Sequence, residues 1–153
     1  MKPLLFLLAT VLCTSAVQAQ PCIGVVPNAE TGYTSEGRSY LCYSVEGRND
    51  GCVFFLENTR RGSVSRMNVD GRTTAVRKVG RERTQTAYDR QYRVTRTYSV
   101  SNYRAADGSF TAELWERNND TEGGDCVEMR GGLTVRKGGR QTHVRVEGQG
   151  CTF

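Results

Sequence analysis

The chain has 153 residues, a formal charge of +5 and 37% hydrophobic residues. That length suits one domain with a modest apolar core. The sequence excludes a repeat at fixed period, a low-complexity tract and, beyond its first residues, any apolar run long enough to span a bilayer.

Residues 1–19 read as a secretory signal peptide. Lys2 supplies a positive start, residues 4–11 an apolar stretch, and Val17-Gln18-Ala19 the small-x-small pattern that signal peptidase cuts after. Residues 20–153 are then expected to form a single β domain, secreted or periplasmic, in an oxidising compartment. A lipid anchor would need a small residue before the modified cysteine. Leu12 precedes Cys13 and Pro21 precedes Cys22, which argues against one.

Strand signals follow in order. Residues 40–45 and 52–57 flank a turn-rich loop, Gly47-Arg48-Asn49-Asp50-Gly51. Residues 63–69 and 72–79 flank Asp70-Gly71, a strong tight-hairpin signal. Residues 80–89, polar and charged, read as a loop or a short helix. Residues 92–103 and 110–117 flank Ala106-Asp107-Gly108. Residues 126–130, 133–137 and 140–147 close the chain, with Gly138-Gly139 as the last turn. Leu133 and Val135 share a face, as do Val144 and Val146; Phe110, Ala112 and Leu114 alternate with Thr111, Glu113 and Trp115. One buried and one wet face is the pattern of antiparallel sheets. Tyr92, Val94, Tyr98 and Val100 also share a face, with Arg96 in their register; a bulge or an inward arginine would explain it. The expected fold is all-β: a small antiparallel β-barrel or β-sandwich of about 7–9 hairpin-linked strands, stapled by disulfides.

Cys13 leaves with the signal, so five cysteines remain. Metal spacing of the C-x-x-C kind is absent, and no metal or cofactor is expected. The expected bridges are Cys42–Cys52, across the first hairpin, and Cys126–Cys151, tying the C-terminal tail to the sheet. Cys22 is then left over, either free or intermolecular. A rival pairing joins Cys22 to Cys42 or Cys52.

Catalytic signals are weak. His143, the only histidine, alternates onto the Arg145 and Glu147 face and reads as an exposed strand residue. No P-loop or G-x-S-x-G occurs. Asn118, Asp120, Glu122 and Asp125 form an acidic loop lacking the closing carboxylate of a calcium loop. The densest basic stretch is Arg77, Lys78, Arg81, Arg83 and Arg90, continuing to Arg93 and Arg96, with Tyr88, Tyr92 and Tyr98 interleaved. It reads as an anion-binding face or, more simply, as a solvated charged edge.

The expected function is a non-enzymatic binding protein outside the cytoplasm, of inhibitor or immunity type, whose partner is another protein. The alternatives are a small-ligand carrier with a barrel cavity lined by Tyr92, Val94, Tyr98, Phe110 and Leu114, and an envelope protein that binds an anionic glycan or lipid. Nucleic acid is the least expected anion, and no transmembrane segment is expected in the mature chain.

Overall fold

The computed structural model describes residues 19–27, 37–48, 50–59, 62–90, 92–119 and 126–152. The strands are β1 (Ile23–Gly24), β2 (Gly37–Val45), β3 (Phe54–Thr59), β4 (Gly62–Val69), β5 (Arg72–Asp89), β6 (Val94–Ala105), β7 (Thr111–Asn119), β8 (Cys126–Lys137) and β9 (Arg140–Thr152). Each of β2 to β9 pairs antiparallel with its neighbour in sequence, and β9 returns to β2. The result is a closed eight-stranded up-and-down barrel with β1 as an extra strand. β1 takes up the side of β4 that β3 leaves after Phe54↔Met67, pairing Gly24 with Asn68 and Ile23 with Val69. Closure leaves the barrel wall without free edges, which otherwise invite association, except where β5 runs on beyond Val76. Among the described residues no helix is long and apolar enough to cross a membrane.

The Asp70-Gly71 turn takes positive φ at both residues, 55° and 78°, as a tight hairpin between twisted strands demands. Inward residues alternate along the strands that enclose the core, as Ala112 and Leu114 or Leu133 and Val135 show. Phe54, Met67, Val76, Ala112, Leu114, Leu133, Val135 and Val146 pack into one core. The Phe54 ring meets Tyr103 edge-on at 4.9 Å and Tyr43 at 6.2 Å. A smaller cluster, Val26, Cys52 and Phe55 with Cys42, covers the outside of β2 and β3.

Cys42 and Cys52 are disulfide-bonded, with Cα atoms 5.3 Å apart. Cys126 stands opposite Cys151 in the β8–β9 register, and Cys151 is itself disulfide-bonded. Cys22 is free and exposed. Its backbone N–H donates to Asp70, which also holds Lys137 at 2.6 Å. Residues 1–18, where a signal peptide is expected, and the loop carrying Asp120, Glu122 and Asp125 lie outside the described residues.

Three local expectations are corrected. Residues 80–89 are strand: β5 runs through a bulge between Val79 and Arg83, with Gly80 at φ 74°, and continues to Asp89. β4 pairs with β5 only as far as Val76 and β7 with β6 only as far as Ser99, so the end of the β5–β6 hairpin projects, and β5 beyond Val76 shows no buried face. Gly131-Gly132 does not divide two strands; β8 runs unbroken through it. Arg96 breaks nothing, because the face it shares with Val94 and Tyr98 is still partly solvent-exposed there and becomes buried only at Val100. Arg96 is bonded to Asp89 at 3.0 Å.

Candidate functional site: a cleft on the outer wall of the barrel

Across the outer face of β7, β8 and β9, Trp115 stands opposite Gly132, and Gly132 opposite Arg145. The middle member of this row has no side chain, so a trough opens between an indole and a guanidinium. One adjacent row is Glu113, Thr134 and His143; in the other, Arg117 faces Arg130 and Arg130 faces Glu147. Tyr88, Arg90 and Tyr92, at the end of the β5–β6 hairpin, form the second wall. Together they bound a cleft of about 580 Å³, within the size range of small-ligand sites.

The aromatic wall is held in place. Glu113 accepts the Trp115 indole N–H at 3.0 Å and is itself balanced by Arg83 at 3.2 Å and Arg136 at 3.8 Å. The Tyr98 ring lies 6.0 Å from the indole, tilted by 57°. The Arg96 guanidinium sits 5.0 Å over the Tyr92 ring while its Nε donates to Asp89. The cleft's acids Glu113 and Asp89 are therefore already engaged.

The cations are not. Arg90, Arg117 and Arg130 make no ion pair among the described residues. Arg145 meets Glu46 only at 3.9 Å and stays largely in solvent. Glu147, across from Arg130, accepts the Gly47 N–H instead. Like charges directly opposite on a sheet are unfavourable, so the Arg117–Arg130 pairing costs stability unless an anion sits between them. The floor is polar: His143 Nδ1 lies 2.9 Å from the Thr134 hydroxyl, and a Cβ on Gly132 would stand 2.7 Å from the His143 ring.

A second polar set lies inside the barrel. Glu116, the next inward residue after Leu114, stands opposite Gly131 and accepts the Tyr43 hydroxyl. The same Tyr43 oxygen is 3.2 Å from the Met129 sulfur. Burial pushes the Glu116 carboxyl above the usual carboxylate range. Burial, then the Glu116 charge, pushes Tyr43 up strongly and Tyr103 to about 12. Nearer solvent, Glu82 is held below its ordinary value by hydrogen bonds from Lys78 and Ser99.

The basic residues named from sequence do not form one patch. Lys78 bonds Glu82 at 2.8 Å and Arg83 bonds Glu113. Arg77 stands opposite Arg104, and Arg81 lies in the bulge. Arg90 alone lines the cleft. The proposed cavity residues separate as well: Phe110 and Leu114 belong to the core, Tyr92 and Tyr98 to the outer cleft, and Val94 is exposed. Among the described residues no group of three or more His, Cys, Asp or Glu is placed to hold a metal. Trp115, Arg117, Arg130 and Arg145 were not singled out from sequence, although two glycines inside a strand signal a close approach or an open surface. Comparison with family models, curated proteins and solved structures returns no match for this chain.

Proposed function

We propose that this chain is an exported, non-enzymatic binding protein that holds an anionic partner in the outer cleft rather than inside the barrel. The observation that carries the reading is the Arg117–Arg130 pair, two facing cations that make no ion pair among the described residues, beside a fixed aromatic wall. A stapled, closed barrel is a rigid scaffold for such a site. The Cys42–Cys52 bond fits an oxidising compartment. Hydrolytic triads orient their histidine with a carboxylate; His143 meets a hydroxyl, that of Thr134.

A protein partner of the inhibitor type is the second reading, favoured by the projecting β5–β6 hairpin. The hairpin's outer edge carries arginines and a bulge, features that oppose strand addition. Such a partner would therefore engage side chains.

Amide shift mapping tests the proposal. Short polyanions of different backbone should perturb the outer residues of β7 to β9 and the β5–β6 turn, and the shifts should weaken as salt rises. Shifts confined to inward residues such as Ser99, Ser101 and Tyr103 would favour a carrier and overturn it.

A further inference from the structure

The chemistry of the cleft narrows what it holds. The middle of its floor, β8 from Arg130 to Thr134, is paired on both sides, so the backbone N–H and C=O groups there are spent in the ladders. An extended peptide gains affinity by main-chain bonds to a free edge, and the middle of this floor has none to give. Recognition must come from side chains, which fall into three kinds. Trp115 and Tyr98 offer fixed ring faces. Arg117 and Arg130 offer planar forks that fit an oxyanion. Thr134 and His143 offer a polar floor, with the imidazole lying over Gly132.

A sugar bearing an acidic group presents all three complements: an apolar ring face for the aromatics, hydroxyls for the floor and an oxyanion for the arginines. The cleft, about 580 Å³, has room for a short oligomer rather than a lone ion. We propose that the cleft is a binding site for acidic oligosaccharides, with a ring stacked on Trp115 and its carboxylate or sulfate held between Arg117 and Arg130. This rests on the outer cleft being the binding site.

Trp115 is the only tryptophan in the chain, so tryptophan emission, excited where tyrosine does not absorb, reports this cleft alone. Four probes are titrated into the intact mature protein: a uronate tetrasaccharide, its methyl ester, a sulfated tetrasaccharide and a poly-glutamate of matched charge. At least one acidic sugar is expected to change Trp115 emission saturably. The methyl ester and poly-glutamate should bind about tenfold more weakly or worse. Arg117→Ala and Arg130→Ala, both at outward positions, should each weaken the acidic sugar about fivefold or more. Preference between uronate and sulfate identifies the anionic group. Equal binding of the methyl ester would overturn the acidic requirement, and equal binding of poly-glutamate would overturn the saccharide class; either leaves the cleft standing as the site. No emission change with any probe, together with no amide shifts on the outer face, would overturn both readings.

Discussion

The inner and outer faces of β7, β8 and β9 are made by the same residues in strict alternation, yet they obey different rules. Inside, Leu114, Leu133, Val135 and Val146 fill the core without gaps in chemistry, and the polar Glu116 is bonded to Tyr43. Outside, arginines face one another unpaired and the centre of the row is a glycine with only the edge of the His143 ring over it. Adjacent glycines show the contrast most sharply. A Cβ on the inward Gly131 would overlap the Trp115 carbonyl and come within 3.1 Å of the Glu116 Cα. A Cβ on the outward Gly132 would meet only the end of the His143 ring. One glycine is required by the approach of two backbones; the other leaves a trough. Close packing holds the barrel together on one face, while unbalanced charge beside open space on the other is what the proposed binding site rests on.

The largest expected effect tests the inner half of this contrast. Gly131→Ala forces β7 and β8 apart, because backbone cannot swing aside as a side chain can. We expect a loss above about 4 kcal/mol, enough to unfold many small domains. Urea denaturation of the purified variant measures it. A variant that folds with near-native stability would show that the two strands have slack at this point.

Removing the Cys42–Cys52 bridge is the next largest. The bond closes a segment with a sequence separation of 10, and the chain-entropy relation gives about 2.5–3 kcal/mol for a loop of that length. Cys42→Ser with Cys52→Ser should lower the urea midpoint accordingly. Cys42 stands opposite Gln149, past the His143 to Val146 stretch of β9 that lines the cleft, so acidic-sugar binding by the folded variant should be unchanged. A lost cleft signal in the folded variant would mean that the cleft depends on the far wall.

Much of this fold was legible in the sequence, since each hairpin carries turn residues and each core strand alternates over neighbouring positions. Legibility failed where the physics is not local. Residues 80–89 look like a loop because a projecting hairpin is wet on both faces, and nothing in such a segment distinguishes strand from coil. Gly131-Gly132 looks like a turn because its reason, the Trp115 carbonyl, lies on another strand. The cleft was hidden for the same cause: Trp115, Gly132 and Arg145 meet only through register, whereas Arg77, Lys78, Arg81 and Arg83 are adjacent in sequence and part company in space.

Glu116 supplies a pH test of the inner face. Burial raises its carboxyl above the unfolded value. Folding therefore favours the protonated form. Stability from this group is fully present below the ordinary carboxylate range and is lost as pH rises through the raised value. Asp70, Asp107 and Glu82 are shifted downward and lose their contribution in the opposite direction, as pH falls. Glu116→Gln keeps an acceptor for the Tyr43 hydroxyl but cannot ionise. Its urea midpoint should exceed that of the parent at neutral pH and converge with it in acid. Parallel curves would show that the barrel tolerates the buried charge without cost.

Gly132→Ala has the smallest expected effect on the fold and tests the outer half of the comparison. The backbone at this position is ordinary strand, which alanine adopts more readily than glycine. Against that gain stands the contact with the His143 ring at 2.7 Å, relieved by a side chain free to swing toward solvent. The two terms nearly cancel, leaving stability within about 0.5 kcal/mol of the parent. Binding should not escape so lightly. The new methyl group raises the floor between Trp115 and Arg145, and the displaced imidazole loses its place beside Thr134. Trp115 emission should still report a folded barrel, while its response to the acidic sugar falls about tenfold. A stability loss approaching that of Gly131→Ala would show the outer row to be packed like the inner one. An intact response to the sugar would show that the trough over Gly132 is not where the ring lies.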